Sequence, residues 1–374
     1  MRDLITGLGR RLQRAASDER GAVMILAALL LGFGVLLGVA ALVIDVGRLY
    51  QERAELQDGA DAAAIGVAKS CALGACDPAV ATGYADGNAS SLTGGTAGVP
   101  LICGSGGMGL CPGSTGTMTD CPDSPPVGTN YVDVHTATQT AGGSTLLPPV
   151  FAGTLLGNSG YQGTTVHACA QAEWGPPAAA TTPAVTISAC AWDQATQQGG
   201  SFPATPPYPP NPPPAPSADQ VLTLNSGNGT GCATEPAGAD GPGSFGWVYH
   251  PGGDCTFPIS GSSFPVRSGN GVSSSCEQIL QTAQQDRAPI LVPVYVATDG
   301  TTYTLLGFAD FVVTGYNLLG SNGGDVDVSD WLDPANDCSG TNYCLNGYFV
   351  QGVAPFTGSF GTTDLGVYSI DLTG

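Results

Sequence analysis

Residues 18–68 read "DERGAVMILAALLLGFGVLLGVAALVIDVGRLYQERAELQDGADAAAIGVA". Charge opens the stretch, a wholly apolar run follows, and an amphipathic pattern continues from it without a break. The run 22–44 has no charged residue in 23 positions, and fourteen of these are Val, Ile, Leu or Phe. As a helix rising about 1.5 Å per residue it extends roughly 35 Å, enough to cross a hydrocarbon layer about 30 Å thick. A cleaved secretory signal has an apolar centre of only about 7–15 residues and a small-residue cleavage site. This run is longer and ends in Ile44-Asp45-Val46. It reads as an uncleaved span.

Charge gives the orientation. Arg2, Arg10, Arg11, Arg14 and Arg20 precede the run, against Asp3, Asp18 and Glu19, a balance of +2 for residues 1–20. The whole chain carries −20, which leaves −22 for the rest. Basic residues flanking a span stay on the cytoplasmic side, so the sequence predicts a cytoplasmic N-terminus, a single pass and an extracytoplasmic remainder. So acidic an outer part repels phosphate, which argues against nucleic acid as a partner.

The helix is expected to continue past the bilayer. Leu42, Leu49, Leu56 and Ala63 recur every seventh residue, and Val46, Ala60 and Val67 form a second row that Arg53 interrupts. Arg48, Gln51, Glu52, Glu55 and Asp58 lie on the polar side, and no Pro occurs before Pro78. Within the span, Gly34 and Gly38 follow Ala28 and Gly32 at four-residue spacing, and small residues on one face allow close helix approach. Gly34, Gly38, Leu49, Leu56, Ala63 and Val67 together form a predicted contact strip for self-association or a partner helix.

An Arg-Gly before the run (Arg20-Gly21), a run ending in Val-Asp-x-Gly-Arg (Asp45, Gly47, Arg48), then Leu56-Gln57 and an Asp-Ala-Ala segment from Asp61 make up an ordered pattern. It resembles the TadE/TadG-like proteins of Tad (tight adherence) or Flp pilus assembly, over about fifty residues. The resemblance implies partners in a pilus or secretion platform. Substrates of prepilin peptidase usually carry Glu at the fifth mature position; after Gly21 that position is Leu26, so the chain looks like the uncleaved, TadG-like branch. Many TadG-like proteins also carry a von Willebrand A-type domain with an Asp-x-Ser-x-Ser metal motif. The nearest stretch here, Asp327 to Trp331, has Trp in place of the second Ser.

With 56 Gly, 29 Pro and 11% charged residues, the remainder suits strands separated by many turns. The predicted class is α+β: a long N-terminal helix followed by a β-rich, disulfide-containing region. The predicted segments are 1–20 (cytoplasmic, basic), 21–44 (span), 45–70 (amphipathic extension) and 71–129 (a Gly/Ser/Thr-rich, Cys-containing arm). They continue with 130–174 (β-rich) and 175–374 (a β-rich domain with a Pro-rich insertion at 203–216). That insertion, nine Pro in fourteen residues, is expected as extended chain on the surface. Residues 274–285 are the one later helix expected, and 175–183 is expected as a linker.

All twelve Cys follow the span and no CxxC occurs, which favours disulfides over zinc. Cys71 with Cys76, and Cys338 with Cys344, are positioned to close short local loops. No nucleophile elbow is present, and no catalytic residue, cofactor or metal ligand is assigned. The acidic residues Asp325, Asp327, Asp330 and Asp333 are expected as a solvated loop. The sequence therefore predicts a non-enzymatic, membrane-anchored accessory or minor structural component of a pilus-type surface apparatus, with lipid and assembly proteins as partners. A membrane-tethered surface enzyme or glycan-binding module is the alternative.

Overall fold

The computed structural model describes residues 2–89, 95–112, 128–151, 162–224, 244–251, 253–267, 269, 271–338 and 343–373, with side-chain surroundings from residue 23 onward. One helix, α1 (Arg2–Ala72), runs for 71 residues, about 107 Å at the usual rise. It is longer than the span and extension expected over 21–70, because the basic segment is helical too. At its far end Gly74 takes a left-handed turn (φ +78°) and its N–H bonds to the Cys71 carbonyl, a glycine cap that ends the helix.

The last third of α1 is wrapped on two sides. A short helix, α2 (Val80–Asn88), packs along it. So does a five-stranded sheet of order β1-β2-β3-β15-β14, made from β1 (Thr96–Gly104), β2 (Asn130–Gln139), β3 (His167–Gly175), β14 (Gly352–Val353) and β15 (Val367–Leu372). Residues 71–129, expected as a crosslinked arm, thus contribute a helix and an edge strand. The two glycines of this part of α1 explain how α2 lies so close. A Cβ on Gly66 would stand 2.4 Å from the Tyr84 ring, and one on Gly59 would stand 3.0 Å from the Ala85 carbonyl. The core between these layers is built of small side chains: twelve of its nineteen buried residues are Ala. Glu52, expected on the solvated face, is buried as well, since the helix is enclosed on more than its heptad stripe.

The second unit is an eight-stranded sheet with the path β6-β13-β11-β10-β5-β7, with β12 and β9 also paired to β11. Its strands are β5 (Val185–Ser188), β6 (Gln220–Thr223), β7 (Phe245–Trp247), β9 (Ser263–Pro265), β10 (Pro289–Thr298), β11 (Thr302–Leu319), β12 (Asp325–Val328) and β13 (Cys344–Val350). β11 is the spine, with both β10 and β13 antiparallel to it. The β10–β11 hairpin turns at Gly300 (φ +85°), where the Asp299 carboxylate accepts the N–H groups of Thr301 and Thr302 at 2.8 and 2.7 Å. Those bonds hold the Asp299 carboxyl well below its ordinary pKa. The core here is aromatic, with Phe245, Trp247, Tyr303, Phe308, Phe311 and Phe349 all buried.

Two helices flank this sheet. Besides the expected one, α4 (Ser274–Asp286), a segment inside the expected β-rich domain forms α3 (Ala189–Thr196). The Ser188 and Ser273 hydroxyls cap α3 and α4 by accepting the Ala191 and Cys276 N–H groups. The expected linker 175–183 contains β4 (Ala179–Pro183), paired with β8 (Thr256–Ser260). The Pro-rich segment is anchored rather than fully solvated: Ala204 is buried with Tyr348 and Val350, and the Tyr208 hydroxyl donates to the Gln351 carbonyl at 2.8 Å. β13 leads directly through Gln351 into β14, and β15 then joins β3 beneath α1, so the chain end is shared with the helix-bearing sheet.

Candidate membrane and assembly site

The apolar half of α1 is uncovered. Val23, Leu30, Leu31, Phe33, Val35 and Leu37 are each at least 61% exposed. Among the described residues this is the helix long and apolar enough to cross a membrane. Exposing such a surface to water is strongly unfavourable, and a bilayer removes that penalty. A Cβ added at Gly32, Gly34 or Gly38 would meet nothing within 4 Å.

The predicted contact strip divides in two. Gly34 and Gly38 remain open, whereas Leu56, Ala63 and Val67 are buried in the small-residue core and Leu49 packs against its margin. The upper part of the strip is therefore occupied by the chain's own α2 and sheet. A heptad pattern reports that a helix face is buried without reporting against what.

The motif residues mark the junction between helix and head. The Asp45 carboxylate accepts the backbone N–H of Val150 at 2.8 Å and that of Phe151 at 3.1 Å. Arg48 Nη1 donates to the Pro148 carbonyl at 3.5 Å. Thr136 on β2 donates its hydroxyl to the Leu56 carbonyl at 2.9 Å. Gln57 Nε2 donates to the Cys169 carbonyl of β3 at 2.9 Å and to the Asp61 carboxylate at 2.8 Å. Gly47 has open space beside it. Arg20 and Gly21 lie in α1, outside the residues whose side chains are described. Hydrogen bonds in which one partner is ionised are stronger than neutral ones, so Asp45 is a firm attachment point for the loop before β3.

Disulfides reinforce the head. Cys71–Cys76 closes the turn after α1, Cys103–Cys111 follows β1, Cys255–Cys276 ties down the start of α4, and Cys338–Cys344 precedes β13. Cys169 and Cys190 are also disulfide-bonded, and Cys121 and Cys232 lie outside the described residues. Among the described residues, one group of three side chains has metal-ligand proximity, Cys103, Cys111 and Asp133. Both of its sulfurs are in a disulfide, so it does not offer thiolate ligands.

The acidic cluster near residue 330 is dispersed. Asp325 and Asp327 point outward from β12, but Asp330 is only 2% exposed, which corrects the expectation of a uniformly solvated loop. Asn346 Nδ2 donates to Asp330 at 2.8 Å and to Asp219 at 3.1 Å, and the Thr314 hydroxyl donates to Asp219 at 2.7 Å. Burial, together with the neighbouring Asp330, pushes the Asp219 carboxyl up to about 8 against the pull of the Thr314 and Asn346 bonds. Burial likewise raises Asp310 to about 7. The bonds among Asp219, Thr314, Asn346 and Asp330 tie β11, β13 and the approach to β6 together. Sequence reasoning missed them because Thr314 and Asn346 lie 95 and 127 positions from Asp219.

An open cavity of about 690 Å³ lies at the far end of α1, between the Cys71–Cys76 disulfide, Trp174, Phe360, Asp364 and Tyr368. The Tyr368 hydroxyl donates to Asp364, so the carboxylate is already engaged.

Comparison with curated proteins and with solved structures finds no match. Residues 21–70 match the Tad family model, described as Flp pilus-assembly TadE/G-like, so the resemblance to that family holds for this segment.

Proposed function

We propose that this chain is a single-pass, membrane-anchored and non-enzymatic component of a Tad/Flp-type pilus-assembly apparatus, with the basic segment cytoplasmic and the β-rich head outside. The observation that carries this reading is the coincidence of the family segment with one continuous helix. Its lower half is bare and apolar, and its upper half is built into the head. The helix acts by packing: Gly34 and Gly38 present a small-residue face on which a second membrane helix can close, and the head presents its surface to other assembly proteins. Lipid, pilus or platform proteins and a second copy of the chain are the partners, and the function calls for no cofactor.

Crosslinking in native membranes, followed by recovery in mild detergent, tests the reading. The expected result is co-recovery of pilus-assembly proteins, reduced several-fold by Gly34→Leu with Gly38→Leu while membrane insertion is unchanged, since Leu inserts at least as well as Gly. Recovery of the chain alone, with a head that binds or cleaves envelope glycans, would favour the alternative; the cavity beside Trp174 and Phe360 is then the place to look.

A further inference from the structure

The loop held by Asp45 sits where the apolar run stops. We propose that residues 146–151, Leu-Leu-Pro-Pro-Val-Phe, form a second membrane contact that rests in the interfacial layer of the bilayer beside the span; this builds on the reading of residues 22–44 as membrane-embedded. The level of the loop follows from its bonds. Asp45 is the first charged residue after the run, and its carboxylate holds the Val150 and Phe151 backbone directly. Arg48, one turn further on, reaches the Pro148 carbonyl. Ala41 is only 8% exposed although Leu42 and Val43 beside it are bare, so one face of the helix is covered about a turn inside the apolar run.

The chemistry of the loop fits that depth. Leu146, Val150 and Phe151 are 36%, 46% and 40% exposed, while Leu147 is buried and pins the loop to the small-residue core. No charged residue occurs between Asp133 and Glu173, so this connection brings no charge of its own to the boundary. Tyr50, 69% exposed on the same stretch of α1, is an aromatic of the kind that favours the membrane–water boundary. At that boundary an unpartnered Asp45 carboxylate would be costly; the two loop N–H groups satisfy it. A lone span tilts and rotates freely within limits set by its neighbours. A second contact beside it fixes the attitude of the head.

The test is photocrosslinking of the full chain in phosphatidylcholine vesicles whose acyl chains carry a carbene precursor near the headgroup, read by mass spectrometry of the labelled peptides. Label is expected in 146–151 as well as in 22–44. The double variant Val150→Asp with Phe151→Asp, whose exposed side chains leave the core intact, is expected to lose the loop label and keep that of 22–44. Label confined to 22–44 in the parent overturns the proposal, as does loop label that persists in the double variant. Absence of label from 22–44 as well overturns the membrane reading itself, and this proposal with it.

Discussion

The two larger sheets among the described residues are packed by opposite means. Beneath α1 the core is mostly Ala, with Gly59 and Gly66 admitting the Tyr84 ring and the α2 backbone. Around β11 the core is filled by rings, including the Phe311–Phe349 pair at 5.1 Å and the Tyr295–Tyr303 pair at 4.7 Å. Small side chains bury little area each, so the first unit gains its cohesion from close backbone approach along an already formed helix. Large side chains bury much area each, so the second can hold strands drawn from distant parts of the chain. The first should therefore be sensitive to added volume and the second to removed volume.

The largest effect is expected from Phe311→Ala. Phe311 is fully buried in the centre of β11, and truncating such a ring costs about 3–5 kcal/mol. Hydrogen exchange of the full chain in detergent should show protection lost across β10, β11 and β13 and kept in α1. Uniform loss in both units would break the comparison. A smaller effect, about 1–3 kcal/mol, is expected from Ala64→Leu, which forces extra volume into a site with no exposed surface. Here protection should fall in α2 and β3 first. If Ala64→Leu is neutral, the small-residue core has room that the structure does not indicate.

A third effect is a pH slope in the aromatic unit. Asp219 is raised from 3.8 to about 8, so the folded state keeps a proton that the unfolded chain has released. Its contribution is fully present below pH 3.8 and is lost as the pH rises towards about 8. One such proton corresponds to about 1.4 kcal/mol per pH unit. Stability of the β11 region, followed by exchange after correction for the intrinsic rate, should decline between these limits. Asp219→Asn should flatten the decline, leaving the share that Asp310 contributes. An unchanged slope in Asp219→Asn would remove the buried pair as its source.

The sequence exposes what is local. The apolar run, the heptad rows, the Gly74 cap and the strands β2, β10 and β11 each follow from neighbouring residues. α2 escapes notice because its sequence, "VATGYADGN", has two Gly in nine residues; its helicity is supported by docking on Gly59 and Gly66 of α1. α3 escapes notice because Ala189 to Trp192 continues an apolar strand until the Ser188 cap turns it. The Asp45 junction joins residues 105 positions apart, so its Asp is legible as a motif residue while the loop that it holds is not. The same limit hides the Asp219 network, whose members are ordinary until the sheet brings them together.

The place of β15 bears on the order of assembly. Leu372 pairs with Ala172, so the strand that completes the sheet under α1 is synthesised two hundred positions after its neighbour. Contacts so distant in sequence form slowly, because the intervening chain must first be brought to order. While the chain is being made, β2 can meet β3 before β15 exists, leaving the β3 edge open. An open edge of that kind is a hazard for wrong pairing until β15 fills it.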